Sequence, residues 1–590
     1  MARNAWTLLF KLRNNIALEG DVALAERELR TLLGQAVQPV NEDYFKAWES
    51  SRKILPKDIE LCRTGTVGYL CEAEFVDWAR LFWRLSFCEQ IFGVVPNTAF
   101  AWESLRRLPS DFVRVRSSES EIFFMVIPFS ALAEWSDVVA RKASSPREAQ
   151  ATLDLLYKVL VHEHPFNLPS SIRAVLAAKQ TTGHLFHGLH VYKAKFFPRM
   201  ARAFLNMCGG TTVLDPFAGS GTALIEASVM GIPSIGIDID PLSVAIARAK
   251  ADLLAHPQEY LERIGEVQEQ LEWLAKGQGS LFAIAETSDY YGVTPTFLRR
   301  RIPEPILREV ETDVAHILRA LRGQPSCGPL HIALSDALSR KFKFRFLGLG
   351  YGRFSLNILP RRVRAMYLDN LRYMANAVGV WQWLRQRTGV CPAPIQAIHG
   401  DARRLPLEAN SIDCVVTSPP YLPASSGREN YLKSKAYAMT ALGLVAPDAI
   451  DTLEAEQIGS IQRAEQVDDL PADAIEVIQW MQSDPTRSVK AAATASYFVD
   501  IRESLREIQR VLKPGGKCAY VVARRHVFYR YKSREVVRIV ESADITAQLA
   551  QQVGLNTLEL IHVELQKQNT VARPRSLDSY YETIVLLEKR

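Results

Sequence analysis

The octapeptide Asp215-Pro216-Phe217-Ala218-Gly219-Ser220-Gly221-Thr222 constrains this chain more than any other feature. It follows a short apolar run at 212–214 and precedes 223–230, a stretch with the apolar content of a buried helix. A second apolar run, 234–238 (SIGID), follows at once. Strand, glycine-rich turn, helix and strand in that order spell a βαβ unit, which commits the chain to a parallel sheet with helices on its faces. The glycines let the turn approach a ligand closely and leave the first N–H groups of the helix free to donate.

Strand character returns at 396–399, 414–417 and 517–522, so 183–250 and 391–590 together make an α/β, doubly wound catalytic domain. The span 251–390 is mostly helical and partly basic where such a sheet needs only a short connection, and is expected to be an inserted helical domain, a candidate for target recognition. Residues 1–145 mix helical and strand patterns, with an amphipathic helix at 24–33 ended by Gly34. They are expected to form an α+β accessory domain able to bind nucleic acid, joined by a helical linker at 146–182. A further excursion, 441–490, is acidic and helix-prone with a proline break at Pro471.

Composition narrows the function classes. No apolar stretch is long enough for a membrane span, and residues 1–11 have too short an apolar core for a signal peptide, so a soluble cytoplasmic protein is expected. None of the eight cysteines has C-x-x-C spacing, which argues for reduced thiols rather than zinc or redox pairs. The net charge of +6 permits a polyanionic partner without demanding one. Basic, aromatic-rich segments lie at 340–346 (RKFKFRF), followed by Arg353, Arg361, Arg362 and Arg364, and at 297–301 and 524–538. The alternation in RKFKFRF suits a phosphate contact and equally an amphipathic edge strand.

Several side chains carry chemistry. A turn built for pyrophosphate would not welcome the carboxylate of Asp215, whereas the cationic amino group of a methionine moiety would be drawn to it. Asp238 ends the second strand, where an acid accepts from ribose hydroxyls; capping a helix is its plainer role, although Asp240, followed by Pro241, is the better cap. Asp401 lies beyond another strand and could accept from an adenine amino group, or simply be a surface loop aspartate. His184, His187 and His190 are expected to line a pocket or cap backbone groups, not to hold a metal, because no carboxylate or cysteine stands near them in sequence.

Thr417-Ser418-Pro419-Pro420-Tyr421 closes the 413–416 strand. Adjacent prolines fix the backbone, so a carbonyl beside them and the Ser418 side chain become preorganised acceptors. An exocyclic amino group on a base is a poor nucleophile because its lone pair is delocalised into the ring. Acceptors aimed at its two protons pull the nitrogen toward a tetrahedral form, and Tyr421 would stack on a base that has left its helix.

On these motifs the chain resembles the DNA amino-methyltransferases, which modify cytosine N4 or adenine N6. The resemblance implies a Rossmann-like class I methyltransferase sheet with S-adenosyl-L-methionine as cofactor, held by Asp215, Phe217, Gly219, Ser220, Gly221, Thr222, Asp238 and Asp401. It implies catalytic roles for Ser418, Pro419, Pro420 and Tyr421, the serine-headed form being more typical of cytosine-N4 enzymes. Segment 183–200 is similar to the family's upstream cofactor motif through Lys195, Phe196 and Pro198, and 512–516 (LKPGG) to the turn before a late strand. DNA is the expected partner and RNA the alternative, since 18–34 resembles the start of the RNA-binding half of tRNA guanine-N2 methyltransferases, whose catalytic motif is usually Asp-headed. Cytosine-C5 chemistry is disfavoured, because it needs a nucleophilic cysteine and no Pro-Cys pair occurs.

Overall fold

A computed structural model gives the fold and describes residues 6–13, 16, 19–52, 65–74, 76–162, 169–176, 178, 182–192, 196–275, 293–346, 354–422, 432–460, 467, 469–530, 533, 535–564 and 581–590. Six strands open the chain: β1 (Trp6–Leu12), β2 (Gln38–Val40), β3 (Gly68–Ala73), β4 (Cys88–Pro96), β5 (Val113–Ser117) and β6 (Glu121–Val126). They pair entirely antiparallel in the order β2-β3-β1-β4-β6-β5, and the near-continuous burial of β1 and β4 marks a sheet covered on both faces.

The second sheet begins with β7 (Val213–Asp215) and β8 (Ser234–Asp238), joined by the glycine turn and helix Thr222–Val229. Helices Pro241–Ala255, Pro257–Ala275, Glu304–Ala320, Pro329–Lys341 and Val363–Thr388 follow, with a hairpin of β9 (Phe342–Phe346) and β10 (Phe354–Ile358) among them. The RKFKFRF alternation is therefore a hairpin strand, whose Phe342 and Phe344 are buried and whose Phe344 ring lies 5.0 Å from Phe354. Then come β11 (Ile395–His399), β12 (Ile412–Thr417), β13 (Leu512–Ala523), a ribbon of β14 (His526–Tyr529) and β15 (Val536–Val540), β16 (Leu555–Glu564) and β17 (Tyr581–Lys589).

The large sheet runs β11-β8-β7-β12-β13-β17-β16, its first five strands parallel and β17 antiparallel to both neighbours. This is the doubly wound arrangement expected, and its strand order reverses between β7 and β12. Open parallel sheets bind ligands beyond the carboxyl ends of the strands at such a switch point. LKPGG differs from expectation: Ile412 faces Leu512 but Cys414 faces Lys517, so the segment is a bulge inside β13, with Gly515 at φ +75.

One core runs from the amino-terminal sheet through the inserted helices to the large sheet, from Trp6 through Trp381 to Val416 and Ile584, and a second holds Leu214, Val415, Phe498 and Phe528. The long helix Val363–Thr388 binds the amino-terminal half: Asn376 Nδ2 donates to the carbonyls of Ala140 and Ala143 at 3.1 and 2.7 Å, and Trp383 Nε1 donates to Asp154 at 2.8 Å. Among the described residues no helix is long and apolar enough to cross a membrane.

Candidate active site

At the switch point the Thr417 hydroxyl, on the last residue of β12, donates to Asp215 Oδ1 at 2.6 Å, on the last residue of β7. The glycine turn and the Ser-Pro-Pro-Tyr loop thus leave neighbouring strands from one point. The Phe217 N–H donates to the same oxygen at 3.1 Å, so Oδ2 has no partner among the described residues. Asp215 is 3% exposed, and burial without a pairing cation raises its carboxyl to about 7.

The turn has a close-packed backbone that admits no side chain at Gly221. Gly219 and Gly221 lie at φ +49 and +78, and a Cβ on Gly221 would stand 2.9 Å from the Ala247 Cβ. The Gly219 N–H donates to Asp238 Oδ2 at 2.7 Å, and the Asp240 N–H to Asp238 Oδ1 at 2.9 Å. Burial, then the neighbouring Asp240 charge, raises Asp238 to about 6. Ser220 and Thr222 are buried, with the Ser220 carbonyl accepting from Lys250 Nζ at 2.6 Å.

Upstream, Tyr192 packs against this turn. The Tyr192 ring lies where a Gly219 Cβ would meet it at 3.4 Å, and its hydroxyl is 2.8 Å from Ser243 Oγ. Lys435, buried after the Ser-Pro-Pro-Tyr loop, donates to Asp240 Oδ2 at 2.7 Å with its Nζ 4.2 Å from the Tyr192 ring centroid. Phe196 stacks on Phe204 at 5.9 Å and Pro198 starts helix Pro198–Cys208, while Lys195 lies outside the described residues. His190 Nε2 is 3.0 Å from Ser335 Oγ, and the Val191 N–H donates to Asp336 at 2.7 Å, so helix Pro329–Lys341 pins this segment from the insertion side.

The catalytic candidates sit together. Pro419 is buried and Pro420 exposed; Ser418 is half-buried, its hydroxyl without a partner among the described residues. Tyr421 donates its hydroxyl to Glu582 Oε1 at 2.5 Å, which fixes the ring, and burial raises the Glu582 carboxyl. Asp401 is more engaged than its sequence position suggested. Arg403 grips both its oxygens at 2.6–3.0 Å and extends to Asp500 at 2.7 Å. A ligand amino group would share Asp401 with that guanidinium.

The histidines require a correction. Glu226, 42 residues beyond His184, brings a carboxylate oxygen within 3.0 Å of His184 Nε2 and 2.9 Å of His187 Nε2, a geometry a metal could occupy. Its other oxygen accepts from Arg202 at 2.8 Å. Burial opposes the charge on Glu226, yet Arg202 and the two imidazoles hold it well below the ordinary carboxylate range. That buried guanidinium already neutralises the carboxylate, and a divalent ion would add uncompensated charge to a closed interior. Arg202 belongs to a polar stripe on helix Pro198–Cys208: Arg199 donates to Glu134 at 2.6 Å, Arg202 to the Trp83 carbonyl at 2.5 Å, and Asn206 to Glu28 at 2.9 Å.

Sequence reasoning did not find Tyr192, Lys435, Glu226 or Glu582, each distant in sequence from its partner. Arg403 carried a usable signal, an arginine two residues after the acid it holds.

Comparison with known proteins finds methyltransferases. Residues 190–263 match the family described as RMKL-like, methyltransferase domain. The Type II methyltransferase M.MjaII of Methanocaldococcus jannaschii is 37% identical over 107 residues, 16% of this chain and 20% of that protein. The Type II methyltransferase M.MvaI of Kocuria varians is 23% identical over 375 residues, 59% of this chain and 78% of that one. A tRNA (guanine(10)-N2)-dimethyltransferase of Methanothermobacter thermautotrophicus is 44% identical over 52 residues, 8% and 16% of the two chains. The chain spans only 20% of the length of M.MjaII. It carries a methyltransferase domain, and the cofactor implied by the fold and these matches is S-adenosyl-L-methionine. The residues present fit that group: Asp215 Oδ2, without a partner among the described residues, can accept from an ammonium, and the glycines at positive φ keep the turn free of side chains.

Proposed function

We propose that this protein methylates the exocyclic amino group of a base in DNA, cytosine N4 before adenine N6. The 2.6 Å contact between Thr417 and Asp215 carries the reading, because it holds an amino-gripping loop beside a cofactor turn. Asp215 would hold the ammonium of the cofactor, Asp238 its ribose and Asp401 with Arg403 its adenine edge, with Gly219, Ser220, Gly221 and Thr222 lining the turn and Phe217, Phe196 and Pro198 beside it; Lys195, outside the described residues, is carried over from the motif alone. When bound, the cofactor supplies an electrophilic methyl group on a sulfonium sulfur.

Ser418 Oγ and the carbonyl beside Pro419 and Pro420 accept hydrogen bonds from the amino group and localise its lone pair. Tyr421, anchored through Glu582, would stack on the flipped base and orient its amino group toward the cofactor turn. Once methylated the nitrogen would be acidic and would release its proton to water. Positioning and electrostatics account for the rate, with no metal required.

Purified protein incubated with methyl-labelled cofactor and DNA, followed by digestion to nucleosides, tests this. Label in N4-methylcytosine or N6-methyladenine is expected, and label in neither removes the DNA reading. The likeness to tRNA (guanine(10)-N2)-dimethyltransferases supports a second reading, methylation of guanine N2 in RNA. Against it, the helix at the start of the 18–34 resemblance, Glu19–Leu33, buries Leu24, Ala25, Glu28 and Leu29 within the protein. Preferential labelling of tRNA over duplex DNA would reverse the order.

A further inference from the structure

We infer that the β14–β15 ribbon is the element that reads the DNA flanking the target base, an inference that rests on the DNA reading above. Its root is fixed beside the catalytic loop. Thr417 lies across from Tyr520 on β13, which runs three residues further to Ala523, and Ala523 lies across from Glu582, the residue that holds Tyr421. The ribbon starts at His526, so it rises from the same rim as the stacked tyrosine.

One face of the ribbon is anchored. Phe528 and Val540 are buried, the Phe528 ring lies 5.0 Å from Trp480, and Arg538 lies over Trp480 at 5.3 Å while pairing with Glu476 at 2.8 Å. The other face is open: Ile539 sits across from Val527, Val537 shares its side, and Val536, Val537 and Ile539 are 37%, 38% and 39% exposed. Three β-branched apolar side chains clustered on a solvent-facing strand invite a partner, since soluble proteins blunt such surfaces unless something covers them.

Charge identifies the partner. From Arg524 to Val540 the sequence carries six lysines and arginines against one acid, Glu535. A polyanion with apolar groups in a groove matches that combination. The major groove of DNA admits a two-stranded ribbon, presents thymine methyls to apolar side chains and is walled by phosphates. Arg530, its side chain 69% exposed and paired among the described residues with Glu535 at 3.2 Å, is placed for a phosphate.

The test compares wild-type protein with a V536T/V537T/I539T variant, which keeps β-branching, and with Arg530→Gln. Each is assayed for methylation of genomic DNA with sequencing of the modified sites, for cofactor affinity and for thermal melting. The triple variant is expected to lose at least tenfold in kcat/KM and to methylate a broader set of sites, with cofactor Kd and melting unchanged. Arg530→Gln is expected to flatten the salt dependence of DNA binding by a slope of about one. Hydrogen exchange at 527–539 should slow when duplex DNA is added to wild-type protein. If wild-type methylates DNA while the triple variant methylates the same sites at the same kcat/KM, the ribbon is not the reader. If wild-type methylates no DNA at all, the DNA reading fails and takes this one with it.

Discussion

The carboxyl of Asp215 offers the sharpest test, because burial has raised it to about 7 and no cation among the described residues offsets the shift. Only its ionised form attracts an ammonium. At pH 6 roughly 9% of the molecules are ionised and at pH 7.4 roughly 70%, so apparent cofactor affinity should rise about eightfold between the two. Above that, deprotonation of the cofactor's own amino group, with an ordinary pKa of about 7.7–8.0, turns the curve down. Asp215→Asn retains the acceptor for Thr417 and Phe217 but has no charge at any pH; its affinity should be weak and lack the acid limb. The same shift acts on the cofactor-free fold. A carboxyl raised above its unfolded value contributes stability that is complete below about pH 4 and is lost as pH climbs through 7. Cofactor should oppose that loss. Isothermal titration across pH 5.5–8.5, with melting curves in parallel, measures both. Equal wild-type affinity at pH 6 and 7.4 would refute the assignment of Asp215 to the ammonium.

Ser418→Ala should lower kcat by about 10²–10³ without changing cofactor Kd, the cost of removing one preorganised partner from the reacting group; single-turnover methylation checks it, and a kcat within twofold of wild-type would exclude the role. Tyr421→Ala should weaken productive DNA binding by about 1–3 kcal/mol, the worth of one stacked base, while Tyr421→Phe keeps most of it; KM for DNA distinguishes them. Arg202→Met leaves Glu226 buried without its guanidinium and should cost about 3–5 kcal/mol, part of which returns in Arg202→Met/Glu226→Gln, as read by urea denaturation. Gly221→Ala, forced into a left-handed backbone against Ala247, should cost about 1–3 kcal/mol and raise cofactor Kd, as read by titration and melting.

How much of this was legible in the sequence depended on distance along the chain. β7, the glycine turn, its helix and β8 lie within 26 residues, and their patterns appear with boundaries shifted by one residue at most, β8 unshifted. The strand order that sets β12 beside β7 was not read from the sequence; the strand pairing shows it. Contacts that close over long loops left no local trace. Lys435 meets Asp240 across 195 residues and Tyr421 meets Glu582 across 161. The premise that no carboxylate stands near the histidines failed for the same reason: Glu226 belongs to the helix after the glycine turn. RKFKFRF shows the opposite limit, where a strand's alternation and a phosphate-binding alternation share one pattern and only the hairpin partner β10 distinguishes them.

The polar stripe of Arg199, Arg202 and Asn206 ties the amino-terminal sheet to the cofactor turn through Glu134, Trp83, Glu28 and Glu226. Cutting the chain between the two sheets would therefore expose cations on one fragment and carboxylates on the other, and neither would keep a dry interior. Diversification of such a protein is channelled toward the rims of the catalytic sheet, where ribbons and loops can be exchanged without disturbing a shared charge-balanced interior.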